Sequence, residues 1–424
     1  MAARNKRLVK IILAGCLLAA GMAFSFAARA KVGFSELVTV TDNSFSLYWK
    51  TDHPETCAIK FGTSRKNLDS KKAESRKPAQ FHFLSVAGLQ PGAKYFYALE
   101  CSGLRTFPSR LSPGILVTQT PPAGKLLFSF AVVTDIHQGE TIAGLILLPG
   151  LPPLSPGFVW KYPVDDYWAF TLRNAVEQIN RQTIDFTMVN GDLSSESLPE
   201  EFELAKKALD KLNKPYYVLR GNHDRVGRAS EDRFKKVFNL EESSYSFEHK
   251  GFLFVCMDDS RLSDGWGEIS EKGFQWLEKT LADHKDEPTF IFSHHPNALG
   301  GPDIGKQTTA RFRAIMDKNP QIIACVYGHK HRAKIVMLKS AGGEIPQIIV
   351  PSTKEYPSGF GIVRVYQSGM VYNFHRTDCA DCLEWSAITR HEYYGLAPVK
   401  LLGKLSDRNM VYQFPDSIQK MERP

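Results

Sequence analysis

The stretch LLFSFAVVTDIH, residues 126–137, sets the architecture expected of this chain. Its first eight residues are apolar or β-prone and predict a buried strand, and Asp135 and His137 follow where that strand ends. Alternate residues of an extended chain point to the same side, so this carboxylate and this imidazole are predicted to face one pocket. The stretch therefore predicts a strand that carries two polar side chains to the edge of a sheet.

Four more polar clusters follow predicted strands in the same way. They are Gly191-Asp192, Gly221-Asn222-His223-Asp224, His294-His295-Pro296 and Gly328-His329-Lys330-His331. Six of the 12 histidines of the chain fall within these clusters and the first one, a concentration that random scatter does not produce. Because ligands of α/β sheets gather at the carboxyl ends of strands, the clusters are predicted to converge on one crevice.

The side chains in these clusters have the chemistry of metal ligands. Taken singly, a motif such as Asp-x-His or Gly-Asp is typical of turns and helix caps, but the five motifs together predict a metal site. Carboxylate, imidazole and amide groups without cysteine suit Mn, Fe or Zn, and their number is sufficient for two ions. The candidate ligands are the carboxylate, imidazole and amide side chains of the five clusters.

The sequence around the clusters predicts an α/β (α+β) domain over residues 125–377. Its β-rich runs alternate with helix-like segments such as YWAFTLRNAVEQINRQ and PEEFELAKKALDKL. Hairpin-like runs indicate that some strands pair outside a parallel order, which predicts a mixed two-sheet β-sandwich flanked by helices. The segment 138–166, rich in glycine, proline and leucine, is either a lid or a packed surface insertion. Residues 378–424 are a C-terminal extension without an assigned role.

Residues 31–122 have a different pattern, in which short β-rich runs such as SFSLYWKT and KYFYALECSG are separated by turn residues. This spacing is typical of an all-β sandwich. The sequence PPAG at residues 121–124 continues neither a helix nor a strand, so it is interpreted as a linker between two domains.

Residues 1–30 have the pattern of a signal peptide. A basic stretch precedes an apolar run from Ile11 to Ala28, and the sequence Ala28-Arg29-Ala30 ends it. The protein is therefore predicted to be exported, as a periplasmic or secreted protein. An uncleaved membrane anchor is the open alternative, because the run nears the length of a spanning helix. The segment carries five Lys or Arg, which leaves +3 of the formal charge of +8 for the rest of the chain and gives no support to nucleic-acid binding.

The motif order D-x-H, G-D, G-N-H-D, H-H-P, G-H-x-H resembles that of the calcineurin-like metallophosphoesterase superfamily over most of the predicted α/β domain. The resemblance implies that Asp192 bridges two metal ions, with His295 behind the ligands. Each ion would have three further ligands, which are Asp135, His137 and His331 for the first and Asn222, His294 and His329 for the second. The implied reaction is hydrolysis of phosphate esters by a metal-bridging hydroxide.

His223 has no metal role in that scheme and is predicted to stabilise or protonate the leaving oxygen, with Asp224 holding its ring. A structural His–Asp pair is the alternative. Arg225 and Arg228 are either contacts for the substrate phosphate or solvated side chains. The loop Gly300-Gly301-Pro302-Asp303 either lines the pocket or only connects two elements.

Within residues 31–122, the stretches FGTS (61–64) and GLQPGAKYFY (88–97) resemble the fibronectin type III-like domain that precedes the catalytic domain of purple acid phosphatases. In such a sandwich Cys57 and Cys101 would lie on antiparallel strands, which predicts a disulfide, with two buried free thiols as the alternative. The likeness to purple acid phosphatases ends at Ser195, where those enzymes carry tyrosine. No iron–tyrosinate centre is therefore expected.

Together, these features predict a binuclear-metal hydrolase of phosphomonoesters or phosphodiesters that acts on a small phosphorylated substrate. Two alternatives belong to other classes: a surface binding module with a vestigial catalytic domain, and an exported nuclease. Any membrane association would involve the N-terminal segment, and the sequence does not specify an oligomeric state.

Overall fold

The computed structural model describes residues 31–106, 108–141, 143–144, 159–160, 166–226, 232–390 and 398–421. The predicted signal peptide at residues 1–30 lies outside these ranges, as does most of the 138–166 insertion. Within the described residues, no helix is long and apolar enough to cross a membrane.

Two antiparallel sheets build the N-terminal domain. The first consists, in spatial order, of β1 (Val32–Val40), β2 (Ser44–Glu55) and β5 (Ala79–Ala87). The second consists of β4 (Lys71–Glu74), β3 (Cys57–Gly62), β6 (Lys94–Cys101) and β7 (Leu104–Arg105), with β8 (Ile115–Val117) paired to β6. Apolar side chains of both sheets, among them Leu47, Trp49 and Leu99, form one buried cluster. The predicted all-β region is therefore present, whereas its fibronectin III-like character stays a prediction.

Disulfides occur in both halves of the chain. Cys57 lies opposite Cys101 in the register of β3 and β6, and the two form a disulfide with Cα atoms 4.4 Å apart. The predicted bond is confirmed, because it joins the strands that the sequence placed side by side. A second disulfide joins Cys379 and Cys382, whose Cα atoms lie 4.9 Å apart.

Two six-stranded sheets form the second domain. The first has the order β13 (Tyr216–Leu219), β12 (Phe186–Asn190), β9 (Leu126–Val133), β20 (Gly359–Tyr366), β21 (Gly369–Arg376), β22 (Asn409–Gln413). The second has the order β14 (Tyr245–His249), β15 (Phe252–Met257), β16 (Thr289–Ser293), β17 (Ile322–Tyr327), β19 (Gly343–Ile349), β18 (Lys334–Ser340). A short ribbon pairs β10 (Ala143–Gly144) with β11 (Val159–Trp160) inside the 138–166 insertion.

Helices cover the outer faces of these sheets. Among the described residues the α-helices are α1 (Tyr167–Asn180), α2 (Pro199–Leu209), α3 (Arg233–Phe238), α4 (Glu271–Asp283), α5 (Lys306–Lys318), α6 (Ala380–Thr389), α7 (Pro398–Leu402) and α8 (Asp416–Gln419). Apolar side chains of α1 and α2 contact the first sheet, and those of α4 and α5 contact the second. The helix–sheet–sheet–helix order confirms the predicted fold class.

The space between the sheets is filled largely by phenylalanine. Phe130 of β9 packs edge-to-face on Phe254 and Phe290 of the second sheet, with ring centroids 5.5 and 5.4 Å apart. Such aromatic pairs add roughly 0.5–1.5 kcal/mol each to the stabilisation from burial. Strands β9, β12 and β13 run parallel to one another, as do β15, β16 and β17. The packed core therefore holds the carboxyl ends of these strands in fixed positions.

The described parts of the segment 378–424 pack within the second domain. Strand β22 pairs with β21, so the first sheet continues beyond the predicted boundary at residue 377. Helix α6 packs on α1, where the ring of Trp385 stacks on that of Tyr167 at 4.4 Å. The C-terminal residues are consequently part of the catalytic unit.

We expect the two disulfides to differ in their contribution to stability, because the loops that they close differ in length. Replacing Cys57 and Cys101 with alanine opens a sequence separation of 44 residues and should lower the free energy of unfolding by about 4 kcal/mol. Replacing Cys379 and Cys382 opens a separation of 3 and should cost about 2 kcal/mol. Guanidinium unfolding monitored by tryptophan fluorescence measures both. Equal losses would contradict the loop-length argument.

Candidate metal centre

The predicted ligands all lie at the carboxyl ends of strands. Because the parallel strands of each sheet end at the same edge, residues far apart in sequence meet there. In chain order, β9 precedes Asp135 and His137, β12 precedes Asp192, β13 precedes Asn222, β16 precedes His294, and β17 precedes His329 and His331. The structure thus brings the seven predicted ligands to one place.

The ligand atoms form two groups that share Asp192. Within each group, the candidate atoms lie within 4.8 Å of one another. The groups are Asp135, His137, Asp192 and His331, and Asp192, His294 and His329. Asn222 extends the second group, since its Oδ1 lies 3.1 Å from Nδ1 of His329. This division corresponds to the two predicted sets, while metal binding by each individual residue stays a prediction.

Asp192 is the buried anion at the centre of the site. Its Oδ2 lies 3.0 Å from Nε2 of His294 and 3.5 Å from Nε2 of His137. Its Oδ1 accepts the backbone N–H of His223 at 2.9 Å. Nδ1 of His294 is 3.0 Å from the carbonyl oxygen of Asn190, which can only accept, so Nδ1 donates and Nε2 faces Asp192.

The donor set fits a binuclear metal centre of the Mn, Fe or Zn type. Both ring nitrogens of His137 are buried without a hydrogen-bond partner, and Nε2 of His294 lies 3.0 Å from Oδ2 of Asp192 without the geometry of a hydrogen bond. Buried polar atoms are normally satisfied, because an unmet bond costs about 1–3 kcal/mol. Coordination of a cation by these nitrogens and the adjacent carboxylates would satisfy them.

Backbone strain aims these side chains inward. Five of the predicted ligands have positive φ angles: Asp135 (51°), His137 (41°), Asp192 (53°), His329 (64°) and His331 (45°). Such conformations cost of order 1–3 kcal/mol for residues other than glycine and concentrate at functional sites. Position 191, with φ of 89°, accommodates only glycine, because a Cβ there would lie 2.3 Å from Nδ1 of His294.

Two carboxylates hold histidines of the centre from behind. Nδ1 of His331 makes a short hydrogen bond to Glu355, so Nε2 is directed at Asp135, 3.1 Å away. Nε2 of His329 lies 2.8 Å from Oδ2 of Asp303, which directs Nδ1 toward Asn222. Carboxylate partners of this kind fix the ring orientation of metal-binding histidines and raise their basicity.

Buried carboxylates favour positive charge on two of the histidines, whereas burial lowers the pKa of His137 and His329. Burial disfavours the charged form of His294, but the Asp192 carboxylate outweighs it and raises the pKa of His294 to about 10. Burial likewise opposes the charge of His331, and Asp135 with Glu355 raises its pKa to about 10. The same carboxylates that stabilise these protons would stabilise metal cations in their place.

His223 lies beside the centre, but Asp224 does not hold its ring. Nδ1 of His223 donates to the carbonyl of Ser195 at 2.8 Å. The Asp224 carboxylate instead accepts the backbone N–H groups of Leu193, Ser194 and Gly221 at 2.8–3.1 Å. The prediction of a His223–Asp224 pair is therefore wrong, because the buried carboxylate satisfies the turns that carry Asp192 and Asn222. The catalytic role of His223 stays a prediction.

The other predicted contacts have mixed outcomes. Nη1 of Arg225 donates to the carbonyl of Ser260 at 2.6 Å, and its contact with a substrate phosphate stays a prediction. Arg228 lies outside the described residues. His295 is fully buried, with Nδ1 3.0 Å from Oδ1 of Asp259, and its ring lies 4.2 Å from that of His329.

The sequence analysis did not identify the ion pair of Lys354 and Glu140, which lies next to His137. The ammonium of Lys354 is bonded to Glu140, which also accepts the hydroxyl of Tyr167 at 2.5 Å and has an oxygen 3.7 Å from Nδ1 of His137. Glu355, the partner of His331, follows Lys354 directly. None of these residues belongs to a recognisable motif, although Glu140 lies in the 138–166 segment and Asp303 in the 300–303 loop, both of which the sequence analysis singles out.

Comparison with known proteins agrees with this geometry. Residues 128–333 match the family model described as calcineurin-like phosphoesterase. A probable glycerophosphodiester phosphodiesterase of Arcobacter nitrofigilis is 28% identical over 189 residues, which cover 40% of this chain and 68% of that protein. A glycerophosphodiester phosphodiesterase of Enterobacter lignolyticus is 27% identical over 179 residues, which cover 40% of this chain and 64% of that protein.

Two further similarities complete this comparison. A 3′,5′-cyclic-nucleotide phosphodiesterase of a Nostoc species is 28% identical over 218 residues, which cover 49% of this chain and 73% of that protein. Among solved structures, a dimetal phosphatase from Danio rerio aligns with a TM-score of 0.47 and 16% identity, covering 60% of this chain and 98% of that one.

We predict that Glu355 contributes to metal affinity through His331. Glu355→Gln removes the charge that fixes Nδ1 of His331, and we expect it to weaken metal binding by roughly 10–100-fold. Equilibrium dialysis of Mn²⁺ or Zn²⁺ with elemental analysis measures the change. Glu344→Gln, at an exposed position of β19, is the matched control and should bind metal as the parent does. Unchanged affinity in Glu355→Gln would show that this contact does not orient the ligand.

Proposed function

We propose that the chain hydrolyses small phosphodiesters at a binuclear metal centre, because residues 128–333 match the family model described as calcineurin-like phosphoesterase. The observation that carries this proposal is the sharing of the buried Asp192 by two groups of ligand atoms. The relatives described above are phosphodiesterases by name, which favours a diester over a monoester as substrate.

We divide the predicted ligands between two ions. Asp135, His137 and His331 would hold the first, Asn222, His294 and His329 the second, and Asp192 both. When bound, two such ions polarise a phosphoryl group and lower the pKa of water. Asp303 and Glu355 keep the ring nitrogens of His329 and His331 aimed at the centre.

His223 is the group of this chain that can serve the leaving oxygen. The Ser195 carbonyl can only accept a hydrogen bond, so Nδ1 of His223 is the donor there and Nε2 is the nitrogen left for substrate. The ring centroids of His223 and His137 are 4.5 Å apart, which places His223 at the border of the first metal group. In its protonated form His223 would pass the Nε2 proton to the departing alkoxide.

Export of the protein is part of the proposal. The pattern of residues 1–30 predicts a signal peptide, and disulfides such as Cys57–Cys101 form in oxidising compartments. We therefore place the enzyme outside the cytoplasm, with anchoring by residues 1–30 as the open alternative. A small phosphorylated compound in that compartment would be its substrate.

The metal-loaded full chain tests the proposal. We expect turnover of bis-p-nitrophenyl phosphate to exceed that of p-nitrophenyl phosphate, and Asp192→Asn to reduce it at least about a hundredfold, because the shared carboxylate is lost. Asp283→Asn, at an exposed position of α4, is the matched control and should retain activity. Absence of turnover with Mn, Fe and Zn on both compounds would overturn the proposal, and faster cleavage of plasmid DNA would favour the nuclease alternative.

A further inference from the structure

A cavity of about 560 Å³ lies where the N-terminal domain meets the segment that follows His331. Leu37, Arg110 and Leu111 of the N-terminal domain form one side of it. Its other walls are residues 332–334 and parts of the C-terminal segment 399–408. Arg332 directly follows His331, so its Cα lies about 3.8 Å from that of a predicted metal ligand. None of the predicted metal ligands lines the cavity.

Six of the fourteen residues that line this cavity are basic. They are Arg110, Arg332, Lys334, Lys400, Lys404 and Arg408. Among the lining residues, Asp407 carries the opposing charge, and it is already engaged. Its Oδ1 lies 3.1 Å from Nζ of Lys334, and its Oδ2 accepts the backbone N–H of Lys404 at 2.8 Å.

Arg408 fixes the C-terminal wall through backbone carbonyls. It is 2% exposed, and its guanidinium donates to the carbonyls of Leu402 at 2.6 Å, Gly403 at 2.8 Å and Leu37 at 2.5 Å. Burial lowers the pKa of Arg408 to about 10, so the group stays charged at neutral pH. The arginine thereby ties the turn before Lys404 to strand β1 of the other domain.

Four of the cations have no carboxylate partner. Within the part of the chain that the structure describes, the side chains of Arg110, Arg332, Lys400 and Lys404 form no ion pair. Scattered exposed lysines need no explanation, since a solvated ammonium is stable in water. Four unpaired charges around one concave space repel one another, however, and an anion would relieve that repulsion.

We propose that this cavity, which is lined by none of the predicted metal ligands, binds a phosphate group of a small molecule. Guanidinium forks suit phosphate oxygens, and the lysine ammonium groups supply compact positive charge. The volume lies within the range of pockets for small ligands. The phosphate can come from a second anionic group of the substrate, a role that rests on the proposed function, or from a separate phosphorylated molecule.

Calorimetric titration of inorganic phosphate into the full metal-loaded chain tests the binding site. The parent should take up about one equivalent more than Arg332→Ser/Lys404→Ser, or bind it at least about tenfold more tightly. Arg110→Ser, from the other domain, should weaken the same equivalent. Lys285→Ser/Lys318→Ser is the matched control, because these exposed lysines precede the amino ends of β16 and β17. Identical titrations of the parent and both cavity variants would overturn the proposal.

Kinetics with paired substrates distinguish the two sources of the phosphate. A p-nitrophenyl phosphodiester whose second alcohol carries a phosphate is compared with its uncharged counterpart. If the substrate supplies the phosphate, the parent should have a lower KM for the charged ester, and Arg332→Ser/Lys404→Ser should abolish that preference while keeping the KM of the neutral ester. A titration difference without a KM difference supports a separate phosphorylated ligand. Failure of the proposed function would abolish turnover and leave the titration difference intact.

Discussion

Burial of the Asp192 carboxylate next to Asp135, at the edge shared by two packed sheets, is unfavourable unless positive charge or N–H groups surround it. The surrounding structure meets that demand with His294, His137 and the backbone N–H of His223. The backbone at position 221 lies so close to Asp192 that only glycine fits there, since a Cβ on Gly221 would lie 2.2 Å from Oδ1 of Asp192. The positive φ angles of the ligands follow from the same requirement, because only those conformations turn the side chains toward one point.

Segments remote from the motifs keep this centre in place. Lys354 is buried against Glu140, and its carbonyl accepts Nε1–H of Trp385 in α6 at 2.7 Å. Tyr356, two residues further on, donates to Glu36 of β1 at 2.8 Å. The loop that carries Glu355 is thus bonded on one side to the C-terminal helix and on the other to the N-terminal domain. A substitution in either segment can therefore shift Glu355, and through it His331, without altering a metal ligand directly.

The two domains meet through buried charge rather than through apolar surface alone. Glu36 is fully buried and bonds Nε of Arg390 at 2.7 Å, while Arg376, also fully buried, stacks on the ring of Tyr48 at 4.0 Å. Breaking one partner of such a pair strands the other charge in the interior, which is costly. This constraint holds the N-terminal domain against the second domain, and residues of both domains line the basic cavity.

The local pattern was sufficient for the fold class and for the convergence of the seven ligands. Asp135 and His137 illustrate the reason, because the carboxyl ends of parallel strands meet at one edge. Their common direction does not come from the period of an extended strand, since both residues follow β9 and have positive φ angles. The pairing of Cys57 with Cys101 was predicted from the resemblance to a fibronectin III-like sandwich, and the structure contains it. Tertiary structure alone decided which group binds Nδ1 of His223 and which carboxylate stands behind His331. Those contacts join residues far apart in sequence, or a side chain to a backbone carbonyl, and neither leaves a periodicity or a motif in the chain.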